Sequence, residues 1–314
     1  MTMTYKNRII FLGSLIGVLI VIYIVSIIIT SGVGSKSSSY VWLDSKSAGK
    51  IVKIAIKDNE NEYELRKLNN QWFVLHNGLE YPAKQLRVED FLKILTTRSS
   101  WSVRSTSAST HGRFGLEQSS GRVTIYGETV LLDLLAGNED IFKNEIYLRK
   151  AGQNEVRAGD NAIKSYISSP VSSWYNLRLI PESENGSIDL SSIQRLSVYT
   201  PQETQIFSRK NRKWEVSGIT VEKPDQSIID NYIRQVITVE GDNFEDSVKS
   251  DDPMFDATSM SLELGNSRII TIRFSSEDES GGRFAHVSGK DYIYFIPAYQ
   301  AGKLFRSAAS FGTQ

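Results

Sequence analysis

Cysteine is absent from all 314 residues. That excludes disulfides, thiol nucleophiles, thiolate metal sites and a lipid anchor on a cysteine thioether, so whatever folds here is held by packing alone. Histidine is scarce. His76, His111 and His286 stand far apart, and no two share the i, i+4 spacing that presents metal ligands from one helix face. They read as surface or turn residues. An excess of charge is lacking too: Lys plus Arg and Asp plus Glu both number 36, so no net field steers the chain toward nucleic acid. No Walker A and no G-x-S-x-G pattern occurs. Ser47-Ala48-Gly49-Lys50 fits S-x-x-K, but the accompanying S-D-N and K-T-G are missing. Asp251-Asp252 with Asp256, and Glu277-Asp278-Glu279, lack the loop spacing of a calcium site and read as solvated turns. No catalytic, cofactor-binding or metal-binding residue is assigned, and the chain is read as a non-enzyme without cofactor.

Long apolar runs are lacking with one exception. Ile9–Ile29, IIFLGSLIGVLIVIYIVSIII, carries no charge and no proline. As a helix at about 1.5 Å per residue it reaches about 31 Å, the thickness of a bilayer's hydrocarbon core. Lys6 and Arg8 precede it and no charge follows until Lys36, which predicts a single pass with the N-terminus inside. The competing reading is a cleaved signal peptide. The run is longer than the 7–15 residues of such an h-region, and no A-x-A site follows. The expected order is a cytoplasmic tail over 1–8, a transmembrane helix over 9–30 and a Gly/Ser-rich tether over 31–49. Tyr40–Leu43 marks either the start of folded chain or a headgroup contact. The localisation implied is the cytoplasmic (inner) membrane, with the bulk of the chain on the periplasmic side.

From Ile51 onward the pattern is one of short alternating strands. Ile51, Ile54 and Ile56 precede the turn at Asp58–Asn61; Tyr63 and Leu65 alternate; Asn69-Asn70 leads to Trp72-Phe73-Val74. Pro82-Ala83 is expected to open a helix whose stripe is Leu86, Phe91, Leu92, Ile94 and Leu95. Strands are then expected over 123–126, 130–135, 146–149 and 155–157, with Gly127-Glu128 and Gly137-Asn138 as turns. Asp160 is placed as the N-cap of a short helix over 162–167. Asn185-Gly186-Ser187 is a glycosylation sequon by pattern alone.

The pattern is written twice. At a constant offset of 142, Ile51, Ile54 and Ile56 meet Ile193, Leu196 and Val198. Trp72 meets Trp214, Pro82 meets Pro224, and Phe91 and Leu95 meet Ile233 and Ile237. Duplication is the reading. The fold class expected is α+β: a single transmembrane helix, then two homologous domains, each an antiparallel sheet with packed helices, over 50–181 and 192–314, joined by a linker over 182–191. Trp72 and Trp214 share a strand face with Val74 and Val216, which argues for core over sugar-stacking platforms.

These residues resemble the bacterial envelope family known as domain of unknown function 4340. The resemblance rests on the I-x-x-I-x-I strand at Ile51–Ile56, the W-x-V strand at Trp72–Val74, the proline-led helix at Pro82–Leu95 and the F-G-L turn at Phe114–Leu116. The second copy departs at the turn, where Phe255-Asp256-Ala257 stands. The resemblance implies a membrane-anchored accessory or scaffold subunit, since family members are often encoded beside ABC-transporter genes of the gliding-motility or auxiliary-export type. Partners would be the bilayer and transporter-type subunits, with no nucleic acid. An envelope ligand-binding module or enzyme acting on cell-wall or polysaccharide material is the alternative. Gly13 and Gly17 form a G-x-x-x-G pair that lets membrane helices approach closely, with Ser14 and Ser26 as inter-helix hydrogen bonders. Replacing both glycines by Ile is expected to leave insertion intact while weakening co-purification with a membrane partner or with a second copy. Unchanged co-purification leaves the helix a plain tether.

Overall fold

A computed structural model of the chain describes residues 16–23, 39–117, 121–180 and 188–312. The chain divides into two compact units, Met1–Gln71 with Gln85–Pro170, and Trp72–Lys84 with Val171–Gln314. The first begins with α1 (16–23), β1 (Ser39–Tyr40), α2 (Ser45–Ala48), β2 (Lys53–Lys57) and β3 (Glu62–Leu68). The hairpin of β4 (Gln71–His76) and β5 (Leu79–Pro82) belongs, from Trp72 onward, to the second unit. The chain returns to the first unit with α3 (Gln85–Thr96), β6 (Ser99–Ser100), β7 (Ser102–Ser105), β8 (Gly121–Tyr126), β9 (Val130–Asp140), β10 (Glu145–Lys150), β11 (Val156–Asp160) and α4 (Lys164–Ile167). The rest of the second unit is β12 (Ile193–Tyr199), β13 (Thr204–Lys210), β14 (Lys213–Ser217), α5 (Gln226–Thr238), β15 (Asn243–Glu245), β16 (Thr258–Leu264), β17 (Ile269–Phe274), β18 (Arg283–Val287), β19 (Ile293–Ile296) and α6 (Ala298–Leu304).

Both units are built on large antiparallel sheets with few helices, as the α+β reading expects. The hydrogen-bonded order within the first is β3-β2-β8-β9-β10-β11-β7, and in the second β14-β13-β12-β16-β17-β18-β19-β15. Leaving out β14, the two orders match strand for strand. The register repeats as well: Ile54 faces Leu65 and Ile125, while Leu196 faces Phe207 and Leu262. Alternation drives both sheets. Ile54, Ile56, Tyr63, Leu65, Val123 and Ile125 are buried in one, and Leu196, Val198, Phe207, Met260 and Leu262 in the other. Each main helix buries one stripe: Val88, Phe91 and Leu95 on α3, and Ile229, Tyr232, Ile233, Val236 and Ile237 on α5. Asp225 caps α5 through the N–H groups of Ser227 and Ile228.

Several expectations change. The helix after Pro82 opens at Gln85. Pro82 closes β5 instead, and Ala83 donates its N–H to the Trp72 carbonyl. β5 itself was not expected; the left-handed pair Asn77 and Gly78 (φ 52° and 80°) turns the chain back into it. Gly137-Asn138 is not a turn. β9 runs through it to Asp140, and a Cβ on Gly137 would stand 2.1 Å from the Phe114 carbonyl oxygen. That glycine serves close backbone approach rather than chain reversal. The tether expected over 31–49 is folded from Ser39: Trp42 and Leu43 are buried, both N–H groups bond the Leu95 carbonyl, and the Trp42 ring meets Trp101 edge-on at 5.1 Å. Residues 31–38, the linker residues 182–187 and the sequon at Asn185 lie outside the described residues. Of the span expected over 9–30, residues 16–23 are described and are helical; Gly13, Ser14 and Ser26 lie outside. Among the described residues no helix is long and apolar enough to cross a membrane.

The two-residue hairpin turns also repeat. Asn69-Asn70 has φ 49° and 68°, and Asn211-Arg212 has φ 51° and 65°. Asparagine tolerates this left-handed region and arginine does not, because its Cβ crowds the following carbonyl. Arg212→Asn is therefore expected to stabilise the fold by about 0.5–1 kcal/mol, read as a higher urea midpoint at unchanged m-value. An unchanged or lowered midpoint contradicts the strain argument.

Candidate functional site

Each unit holds a cleft at an equivalent place, between the turn that follows the central strand β2 or β12 and the Phe114 or Phe255 turn. In the first unit it measures about 890 Å³ and includes Asp58, Asn59, His111, Arg122 and Arg149. In the second it measures about 610 Å³ and includes Thr200, Pro201, Gln205, Met254, Arg283 and Arg306. The turns themselves explain the sequence difference. Gly115 is left-handed at φ 67°, whereas Asp256 in the second copy is right-handed at φ −85° and needs no glycine.

The charged groups described at the first cleft are tied to neighbours within the unit. Arg122 forks onto Asp133 at 2.8 and 2.5 Å, and that guanidinium holds the carboxyl below the usual carboxylate range. Arg149 donates to the carbonyls of Gln153 (2.9 Å) and Leu116 (3.2 Å), and Asp58 caps its own turn by accepting from the Asn61 N–H at 2.7 Å. The His111 ring lies 3.1 Å from the Asn154 carbonyl oxygen.

The second cleft differs in one respect. Arg283 stacks 4.7 Å over the Phe305 ring and donates to the Ser275 carbonyl and Glu277, and Arg306 donates to Gln235 at 2.6 Å. Gln205 is only 3% exposed. Its amide nitrogen donates to Glu203 at 2.5 Å and to the Arg306 carbonyl at 2.6 Å, which fixes the amide orientation and leaves Oε1 buried with no partner among the described residues. A buried acceptor without a donor is costly, and a buried water at this position would relieve it. No sequence motif marks Gln205; it is one inward position on an ordinary strand.

The second unit also contains an aromatic cluster. Tyr81 stacks on Phe244 at 4.6 Å, and Tyr175 and Tyr294 lie about their own ring widths away at 5.0 Å each from Phe244. The hydroxyls are used: Tyr81 donates to Asp246, Tyr294 donates to the Arg178 carbonyl at 3.1 Å, and Tyr175 lies 3.2 Å from His76 Nδ1. Burial pushes all of them above the ordinary tyrosine value, Tyr81 further through Asp246, and Tyr175 up to about 12.

The remaining sequence candidates are dispersed. His286 is not the surface or turn residue expected: it is buried on β18, where Nδ1 accepts from Arg273 (3.0 Å) and Nε2 lies 2.9 Å from the Lys290 carbonyl oxygen. Ser47 lies in α2 on the surface, with Lys50 after it. Asp252 caps a turn through the Met254 N–H, Glu277 pairs with Arg283, and Asp278 accepts from the Ser280 and Gly282 N–H groups. Trp72 and Trp214 are buried, and the Trp214 indole donates to Asp230 at 2.7 Å. Among the described residues no three His, Asp or Glu side chains are gathered as a metal site requires.

The tyrosine cluster makes a pH prediction. A free tyrosine ionises near about 10, while folded Tyr175 keeps its proton up to about 12. Between those values the unfolded chain sheds a proton that the folded chain holds, so this stability is present below about pH 10 and falls as pH rises toward 12. The urea midpoint is expected to drop between about pH 9 and about pH 11, and Tyr175→Phe to flatten part of the drop. A midpoint level across that window refutes the assignment.

No match to the chain was found among curated proteins or among solved structures. A family model described as Domain of unknown function (DUF4340) matches residues 72–253. That stretch is more than half of the chain and runs from the Trp72 strand through the linker, the second copy's central strands and α5, so the chain belongs to the DUF4340 family.

Proposed function

We propose that this protein is a non-catalytic accessory or scaffold subunit of an ABC-transporter-associated envelope complex. It is held in the cytoplasmic membrane by the 9–30 segment, with both sheet units on the periplasmic side. One observation carries the anchoring. Along α1, Ile16, Val18, Leu19, Ile20, Val21, Ile22 and Tyr23 are each more than half exposed. These positions cover more than two helical turns, so the apolar surface goes all the way round the helix, a surface suited to lipid and not to water. The flanking residues extend the uncharged run to bilayer length, and Lys6 and Arg8 favour an N-terminus inside. The transporter association rests on the family resemblance, and the scaffold role on two copies of one strand order.

The second reading is an envelope ligand-binding module or enzyme acting on cell-wall or polysaccharide material. It is favoured by the cleft of about 610 Å³ that Thr200, Met254, Arg283 and Arg306 line in the second unit.

Alkaline phosphatase fused after Gln314 is expected to be active, and the full chain to stay with membranes through salt and alkaline washes while detergent releases it. An inactive fusion reverses the orientation, and release by the washes removes the anchor. Detergent pull-down of the full chain with mass spectrometry then tests the complex: recovery of transporter subunits supports it, and recovery of the chain alone counts against it.

A further inference from the structure

The hairpin that joins β9 to β10 ends in Ile141-Phe142-Lys143-Asn144. Ile141 is 81% exposed and Phe142 102% exposed, the two most exposed large apolar side chains among the described residues. The tip is a formed turn. The Lys143 N–H bonds the Asp140 carbonyl at 3.2 Å, and Asn144 closes the reversal at φ 54°. The fold therefore holds two apolar side chains out on a shaped projection, where turn residues are ordinarily polar.

We propose that this tip inserts into the lipid interface of the membrane that carries the chain. The proposal rests on the anchor reading above. Three observations favour lipid. The tip is convex and only two apolar residues wide, which a bilayer interface accommodates without the matched surface that a protein partner must supply. The charges around it are already paired within the unit: Lys143 with Asp140, Lys164 with Glu139, and Arg104 with Glu145. The tip can thus meet a neutral surface without stranding a charge, and the Lys143 stem can reach back to water.

The third observation is where the chain enters. Glu145 faces both Asp140 and Asp160 across the sheet. Ser102 faces Ala158, two residues before Asp160 on β11, and Ser100, two residues before Ser102, pairs with Ser39 in a separate two-stranded sheet. Ser39, where the described chain resumes after α1, thus enters toward the end of the sheet from which the tip projects. With the span ending at residue 30, the eight residues 31–38 lead to Ser39 and can reach at most about 30 Å, which keeps the bilayer close to this end of the sheet.

The absence of cysteine makes the test direct. The full chain carrying Phe142→Cys is labelled with a polarity-sensitive fluorophore and reconstituted in vesicles of zwitterionic lipid. Glu128→Cys, on the exposed turn before β9 at the strand's other end, is the control. The label at 142 is expected to shift blue, brighten several-fold and be quenched by spin-labelled lipid, at low and high salt alike, while the label at 128 stays water-like. A chain that floats with the vesicles but reports water at 142 overturns this proposal alone. A chain that does not float overturns the anchor and this proposal together. A label at 142 that leaves water only when native membrane proteins are added assigns the tip to a protein partner and overturns the lipid assignment.

Discussion

The structure depends on burial of one face of a strand that is central in each unit. On β2 that face is Ile54 and Ile56; on β12 it is Leu196 and Val198. Fully burying such a side chain contributes about 1.5–3 kcal/mol, and a shift of one residue in register would turn every one of them to the opposite face. The partners β3 and β8, or β13 and β16, are therefore locked in place, and the later strands add outward in the same order in both copies. With no cysteine to brace the chain, this repeated register is what a mutation would have to break.

The same constraint explains which sites the copies share and where they diverge. A conserved strand order puts a cleft beside the turn after the central strand in both units. Much of what lines it differs, because many of those residues sit on turns that the core does not fix. In the first copy the arginines are tied to Asp133 and to main-chain carbonyls. In the second, strand alternation carries Gln205 inward, and a buried amide with two acceptors on its nitrogen leaves its oxygen without a partner among the described residues. The tyrosine cluster shows the opposite economy: every ring is packed and the Tyr81 and Tyr294 hydroxyls each find an acceptor, a structural use that holds β5, β15 and the residues around Tyr175 together within the second unit.

Much of this was legible in the sequence, and the exceptions are instructive. Alternation marked β2, β3, β8 and β12 because their pattern is dictated locally by one buried face. The 142-residue offset located the second copy because duplicated cores keep their apolar positions. The signal for β5 is present in Asn77-Gly78, a pair suited to a left-handed hairpin turn, but Pro82, which follows it, suits the start of a helix equally well. Gly137 misled for the converse reason. A glycine that permits reversal and one that makes room for a carbonyl look identical in sequence, and only the approach of Phe114 tells them apart.

By itself the sequence determined the antiparallel α+β class, the duplication and the apolar N-terminal run, because each is a periodic or compositional property of neighbouring residues. Tertiary structure decided the rest. It placed Trp42 and Leu43 in a core instead of a tether, grouped the Trp72–Lys84 hairpin with the second unit, buried the Gln205 amide, and set Ile141 and Phe142 on an exposed tip. Each of these depends on which distant residue arrives beside a given side chain, and a linear pattern carries no distance between residues that far apart.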